Sequence, residues 1–177
     1  TANDRQLELC DETLWLLPER AIYWPRRATL IVSDLHIGKA AAFRAAGVPV
    51  PEQTTAATLD RLSQALARTG AERLLCLGDL LHAASGRTTA ALAAVDAWRA
   101  CRRGLRFVLV RGNHDTRAGD PPANWDMQCV DEPWNDPADG FEDDRLGDAG
   151  PADRSPFTWR HKPAVTEGRY TLAGHIH

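Results

Sequence analysis

Lysine is almost missing from this chain: of 21 basic residues in 177, two are lysine, Lys39 and Lys162, and the rest are arginine. Arginine carries the same charge, so biased codon usage explains the scarcity and no function class is excluded. Cysteine is sparse, at Cys10, Cys76, Cys101 and Cys129, with no Cys-x-x-Cys pair. Four scattered thiols are too few to staple a domain of this size, which points to reduced cysteines and a cytoplasmic location. Long apolar runs are also lacking. Stretches such as Ala28 to Val32 fall far short of the roughly 20 residues of a membrane-spanning helix, so no membrane partner is expected. The first residues, Thr-Ala-Asn-Asp-Arg, hold no basic segment feeding an apolar run, so no secretory leader is expected. No repeat of fixed period is present.

What the chain does have is 44% hydrophobic residues, enough apolar surface for one substantial core, so a single domain over residues 1–177 is expected. The formal charge of -3 conceals an asymmetry. Between Ala118 and Ser155 lie eleven acids and two bases, which leaves 13 acids and 19 bases elsewhere, about +6. A basic body suits an anionic substrate. The acidic stretch, rich in Pro and Gly, is expected to be a long loop or insertion at about 118–155. Two uses for it stay open: a solvated segment, or a cover over the basic cleft that competes with polyanions.

The remaining pattern alternates. Leu14 to Leu17 and Ile22 to Trp24 are short strand-like runs. Ala28 to Val32, Leu74 to Leu77 and Phe107 to Val110 are continuous apolar runs, as expected for strands covered on both faces. Between them, a helix is predicted from about Gln53 to Arg68 with Gly70 as its left-handed cap, and a second around Ala91, Val95 and Trp98, ending at Gly104. From Arg117 to Pro156 no element is predicted, and strands resume at Phe157 to Arg160 and Tyr170 to Ala173. Strands alternating with helices predict an α/β sheet with crossover helices.

Each buried run is followed by polar residues that a core cannot use: Ser33-Asp34-Leu35-His36, Gly78-Asp79-Leu80-Leu81-His82 and Gly112-Asn113-His114-Asp115. His161 and Gly174-His175-Ile176-His177 follow the last two runs, so all six histidines occupy such places. An isolated histidine is more often a surface or capping residue than a ligand. Six of six in these positions reverse that weighting, because C-terminal strand ends share one edge of an α/β sheet, where ligands bind. Carboxylate and imidazole together suit Mn²⁺, Fe²⁺ or Zn²⁺ better than Ca²⁺. Asp34, His36, Asp79, Asn113, His161, His175 and His177 are more ligands than one ion uses. Two ions sharing a carboxylate would use them all, and a pair about 3.5 to 4 Å apart can activate a nucleophile and clamp phosphoryl oxygens.

Asp-x-His, Gly-Asp, Gly-Asn-His-Asp, a lone His and Gly-His-x-His, in this order from Asp34 to His177, resemble the calcineurin-like metallophosphoesterases. The resemblance implies a β-sandwich of two mixed sheets flanked by helices, with the active site at the C-terminal strand ends. It also implies two divalent metals, Mn²⁺ foremost and Fe or Zn as alternatives. Asp34, His36, Asp79 and His177 would hold one, and Asp79, Asn113, His161 and His175 the other. By the same resemblance His114 protonates the leaving oxygen and His82 orients it through a hydrogen bond. The third residue after Asp79 is His82, followed by Ala83-Ala84, where protein Ser/Thr phosphatases carry Asp followed by Arg-Gly. Gly-Asp-Leu-Leu-His with Gly-Asn-His-Asp looks more like the DNA repair nucleases of that clan, and Asp34 to Arg44 with Gly47-Val-Pro-Val-Pro looks most like the bacterial ligase-associated DNA-damage-response metallophosphoesterases.

That implies hydrolysis of phosphodiesters in DNA, RNA or nucleotides, with DNA repair proteins as partners. A small-molecule phosphomonoesterase, a nucleotide pyrophosphatase and a noncatalytic protein-binding scaffold are the competing readings. Lys39 and Arg44 are candidate phosphate contacts, weighed evenly against a solvated helix face. Asp115 is expected to fix the Gly112 to His114 turn through local hydrogen bonds. The six tryptophans are expected mainly in core packing and loop anchoring rather than stacked on bases.

Overall fold

The computed structural model describes residues 4–51, 54–136 and 155–175. Seven strands form the larger sheet in simple sequence order: β1 (Arg5–Leu9), β2 (Glu12–Leu17), β3 (Ala21–Trp24), β4 (Thr29–Val32), β5 (Arg73–Leu77), β6 (Arg106–Val110) and β7 (Met127–Val130). The first four pair antiparallel through short turns. From β4 to β7 the pairing is parallel, with Leu30 opposite Leu74, Leu74 opposite Phe107 and Phe107 opposite Met127. Parallel neighbours need crossovers. These are supplied by α1 (Lys39–Ala45) and α2 (Thr54–Thr69) after β4, α3 (Thr89–Ala100) after β5, and α4 (Asn113–Ala118) after β6. A smaller sheet contains β8 (Trp134–Asn135), β9 (Phe157–Arg160) and β10 (Tyr170–Ala173), with β9 in the middle, antiparallel to β8 and parallel to β10.

The continuous apolar runs are explained by layers on both sides of β4 to β6. Alternate side chains of a strand face opposite ways. Leu30, Val32, Leu74, Cys76, Phe107 and Leu109 pack against Leu59 and Leu62 of α2 and Val95 and Trp98 of α3. Ile31, Leu75, Leu77, Val108 and Val110 face Phe157 and Trp159 of the smaller sheet, with Leu14 and Trp24. Trp24 meets the Phe157 ring edge-on, centroids 5.2 Å apart, and its indole N–H donates to the buried Glu12 carboxylate at 2.6 Å. The architecture is therefore two mixed sheets face to face with helices outside the larger one, and the polar segments after β4, β5 and β6 leave the same edge.

Several boundaries differ from expectation. The predicted cap at Gly70 is present, with φ of 65° and its N–H on the Leu66 carbonyl at 2.9 Å. α3 stops at Ala100 rather than Gly104. β1 carries alternating polar residues on an exposed sheet edge, so it lacks the apolar signature of a strand. α1 and α4 span two turns or fewer, too short for a helical period to show. The stretch expected to be irregular from Arg117 holds β7 and β8, and its Trp125 is fully buried against the helix-side core. Buried Arg73 also pairs at 2.6 Å with Asp136, at the acidic end of that stretch. Tertiary contacts, not local propensity, order these residues. Residues 137–154 of the expected acidic loop lie outside the described ones.

Candidate metal centre

The chain turns sharply as it leaves the sheet. Nine described non-glycine residues have left-handed backbone, and four of them are Asp34, His36, Asp79 and His175, with φ between 46° and 54°. Each such conformation costs roughly 1–3 kcal/mol outside glycine, and such strain clusters at functional sites. Here Asp34, His36 and Asp79 lie where the segments after β4 and β5 run on side by side, with the Asp34, His36 and Ile37 N–H groups on the Gly78, Asp79 and Leu80 carbonyls at 2.8–3.0 Å. Two motif glycines permit the close packing that results. A Cβ at Gly78 would strike the His161 ring, and one at Gly112 would strike the Asp79 carboxylate.

Two groups of side chains assemble on this edge. Asp34, Asp79, His161 and His175 bring one ligand atom each to within 4.8 Å of the others, and His36, His82 and His114 do the same. Asp79, fully buried, stands between the groups. Its Oδ1 accepts the His114 backbone N–H at 2.9 Å and lies 3.4 Å from His161 Nε2, while Oδ2 is 3.9 Å from His114 Nε2. His175 donates its backbone N–H to Asp34 Oδ2 at 3.1 Å, and His36 Nε2 is 4.0 Å from Asp34 Oδ1. Asn113 joins the first group through Oδ1, 3.1 Å from His161 Nε2. His177 lies outside the described residues.

Hydrogen bonding sets the tautomers. His161 Nδ1 faces the Leu77 carbonyl at 3.0 Å, and a carbonyl can only accept, so Nδ1 carries a proton, and in the neutral ring Nε2 offers its lone pair to the cluster. That lone pair meets Asn113 Oδ1 and Asp79 Oδ1, while the buried Asp79 Oδ2 has no hydrogen-bond partner among the described residues. With the ring neutral, the one donor to these converging atoms is the His114 N–H on Asp79 Oδ1, and the surplus of buried acceptors among the described residues is a costly arrangement that a divalent cation resolves. The donor set, carboxylate with imidazole and an amide oxygen, fits such an ion.

The second group is held differently from expectation. His114 Nδ1 donates to the backbone carbonyl of His82 at 2.5 Å, which leaves Nε2 directed toward Asp79. The orienting hydrogen bond thus comes from the main chain at position 82, not from the His82 imidazole. That ring stacks on His114, centroids 4.8 Å apart at 20°, and faces His36 Nδ1 at 3.4 Å. Burial pulls the pKa of His36 down to about 4, with the Lys39, His82 and His114 charges adding to it against the attraction of Asp79. His82 is lowered for the same leading reason, burial, then by His114 and Lys39. Both shifts favour the neutral ring, the form in which imidazole binds metals.

Around this core, Asp115 behaves as expected. Fully buried, it accepts the Leu81 N–H on Oδ1 and the Gly112 N–H on Oδ2, each at 2.9 Å, and so fixes the turn that carries Asn113 and His114. Burial raises its pKa despite these bonds. Glu132, not foreseen from the sequence, accepts the backbone N–H groups of His161 and Lys162 at 2.7 and 2.9 Å. It lies 29 residues from His161, and no local pattern announces such a clamp. Of the two candidate phosphate contacts, Lys39 is exposed beside the second group, while Arg44 donates to the Val50 carbonyl at 3.2 Å, in the linker after α1.

This sandwich, with carboxylates and imidazoles gathered at its strand ends, defines a metal-dependent hydrolase, and the sequence matches the calcineurin-like phosphoesterases over residues 28–177. The chain belongs to that family, whose members use a dinuclear metal centre, and is a metal-dependent phosphoesterase. Among solved structures it is similar to the nuclease MPE of Pseudomonas putida, with 43% identity and a TM-score of 0.78, covering 99% of this chain and 74% of that one. Comparison with the curated proteins finds no match. No helix among the described residues is long and apolar enough to cross a membrane.

Proposed function

We propose that this phosphoesterase cleaves phosphodiester bonds in nucleic acid. The observation that carries the reading is the convergence of Asp34, Asp79, His161 and His175 within 4.8 Å, with Nε2 of His114 directed at the shared carboxylate. It is supported by the 43% identity to a protein described as a nuclease. Asp34, His36, Asp79 and His177 would hold one cation, and Asp79, Asn113, His161 and His175 the other, with Mn²⁺ preferred to Fe or Zn. When bound, the cations lower the pKa of an attacking water and neutralise charge on the phosphoryl oxygens.

The protein's own groups do the rest. Asp79 would be the ligand common to both ions, and its acceptance of the His114 N–H couples the carboxylate to the placement of that ring. His114, held by the His82 carbonyl through Nδ1–H, presents Nε2 to the leaving oxygen; as the imidazolium, protonated on both nitrogens, it gives up the Nε2 proton as the bond to phosphorus breaks and is left neutral with its Nδ1–H bond intact. His82 fixes the plane of His114 by stacking. Lys39 contributes a cation for the substrate phosphate, whereas Arg44 braces the linker. The motif likeness to ligase-associated enzymes further supports a cytoplasmic role in DNA repair alongside other repair proteins.

Turnover of bis-p-nitrophenyl phosphate and of p-nitrophenyl phosphate, compared with Mn²⁺ present, separates diesterase from monoesterase. The diester should be preferred; a preference for the monoester would overturn the proposal. His114→Ala should keep its metals and lose hydrolysis by about 10²–10⁴-fold.

A further inference from the structure

α1 sits at the rim of the metal centre. Its first residue, Lys39, donates its N–H to the His36 carbonyl at 3.0 Å. Before it, Gly38 meets the backbone of Gly86, and a side chain at position 38 would run into the Gly86 carbonyl. The helix is thereby seated main chain to main chain on the turn that follows His82. Ala40 faces inward, and Phe43 is left 37% exposed.

A phenylalanine on a short alanine-rich helix would normally turn inward. This one leans over the active site: its ring stacks on His82, centroids 5.6 Å apart at 27°. His82 stacks in turn on His114 at 4.8 Å and 20°. Phe43, His82 and His114 form a column of rings running from solvent to the proton donor. Lys39 is also exposed and precedes Phe43 by four residues, so the two share a helix face about 5–6 Å apart at their Cβ atoms. That separation is of the order of the span from a phosphate to the base of its own nucleotide.

Resting on the nucleic-acid reading above, we propose that Phe43 continues this column onto the substrate, stacking an unpaired base beside the scissile phosphate while Lys39 takes a phosphate oxygen. Burying the outer face of Phe43 under a base removes apolar surface from water, and every base offers a π-face, so the contact selects polynucleotides without selecting sequence. A base lying on a protein ring has left its duplex.

The test compares a fluorescein-labelled single-stranded oligodeoxynucleotide with one of equal length whose internal sugars carry no bases. Both are titrated by anisotropy with the metal-free chain in EDTA, and their KM values are then measured with Mn²⁺. The parent should favour the base-bearing strand by about tenfold. Phe43→Ala should remove that difference, Phe43→Leu should remove most of it, and Phe43→Trp should keep it. An equal preference in the parent and Phe43→Ala would overturn the role of Phe43. If the parent turns over bis-p-nitrophenyl phosphate yet neither binds nor cleaves either strand, the nucleic-acid reading itself fails.

Discussion

Replacing Gly112 with alanine perturbs the site by a single carbon. At position 112 the backbone has φ of -94° and ψ of 177°, an extended conformation open to any residue, so Gly112→Ala adds no torsional strain there. The new Cβ would contact the Asp79 carboxylate oxygen, with the Asp79 backbone nitrogen at 2.6 Å and its carboxyl carbon at 3.1 Å. Opening the contact with nitrogen from 2.6 Å to an ordinary 3.4 Å moves Asp79 or the Gly112 turn by about 0.8 Å. Metal ligands tolerate about 0.2 Å. Asp79 is fully buried, so it has little room to yield. Overpacking should destabilise the metal-free protein by roughly 1–3 kcal/mol. Mn²⁺ affinity should fall on the order of 10–100-fold, as for other losses of support around a metal. Turnover at saturating Mn²⁺ should fall by about 10² because the misplacement approaches 1 Å. Calorimetric titration with Mn²⁺, urea unfolding in EDTA and hydrolysis of bis-p-nitrophenyl phosphate read the three effects. Parent-like metal affinity together with parent-like turnover would refute the claim that Asp79 is held by this close packing.

Asp115→Asn replaces one of two acceptors with a donor facing a buried backbone N–H, so urea unfolding in EDTA should show a loss of about 1–3 kcal/mol; a change below about 0.5 kcal/mol would remove Asp115 from the account. Glu132→Ala removes the one carboxylate oxygen that accepts both N–H groups of the His161 turn and should weaken one of two Mn²⁺ binding events by about tenfold or more, whereas Glu132→Gln keeps an acceptor and most of the affinity; equal isotherms for the two variants would argue against the clamp. Stability of the metal-free protein should depend on pH through His36. Its folded pKa of about 4 lies below the ordinary 6.5, so the neutral ring's contribution is complete above pH 6.5 and drains away as pH falls toward 4, by at most about 3 kcal/mol. His36→Asn should flatten that slope in unfolding midpoints between pH 6.5 and 4, and an unchanged slope would place the titration elsewhere.

The strands that carry the site were legible because burial on both faces leaves a continuous apolar signature, as at Thr29–Val32, Arg73–Leu77 and Arg106–Val110. The polar residues after them were legible for the opposite reason, since histidines and carboxylates at the ends of these three strands serve no core. β7 was missed because a four-residue strand with Gln128 in it is recognisable only from the β6 edge it completes. β1 was missed because an exposed edge imposes no pattern.

By itself, then, the order of residues determined which chemistry could occur: the ligand types, their succession along the chain and the strands that bring them to one edge. Only the tertiary structure decided how those groups are used. It assigned the orientation of His114 to a main-chain carbonyl, added Glu132 from 29 residues away, separated Lys39 from Arg44, and left the ring of Phe43 open above His82. Ligand identity is written in single residues, whereas hydrogen-bond direction, tautomer and exposure depend on what the folded chain places within a few ångströms, and sequence spacing does not encode that.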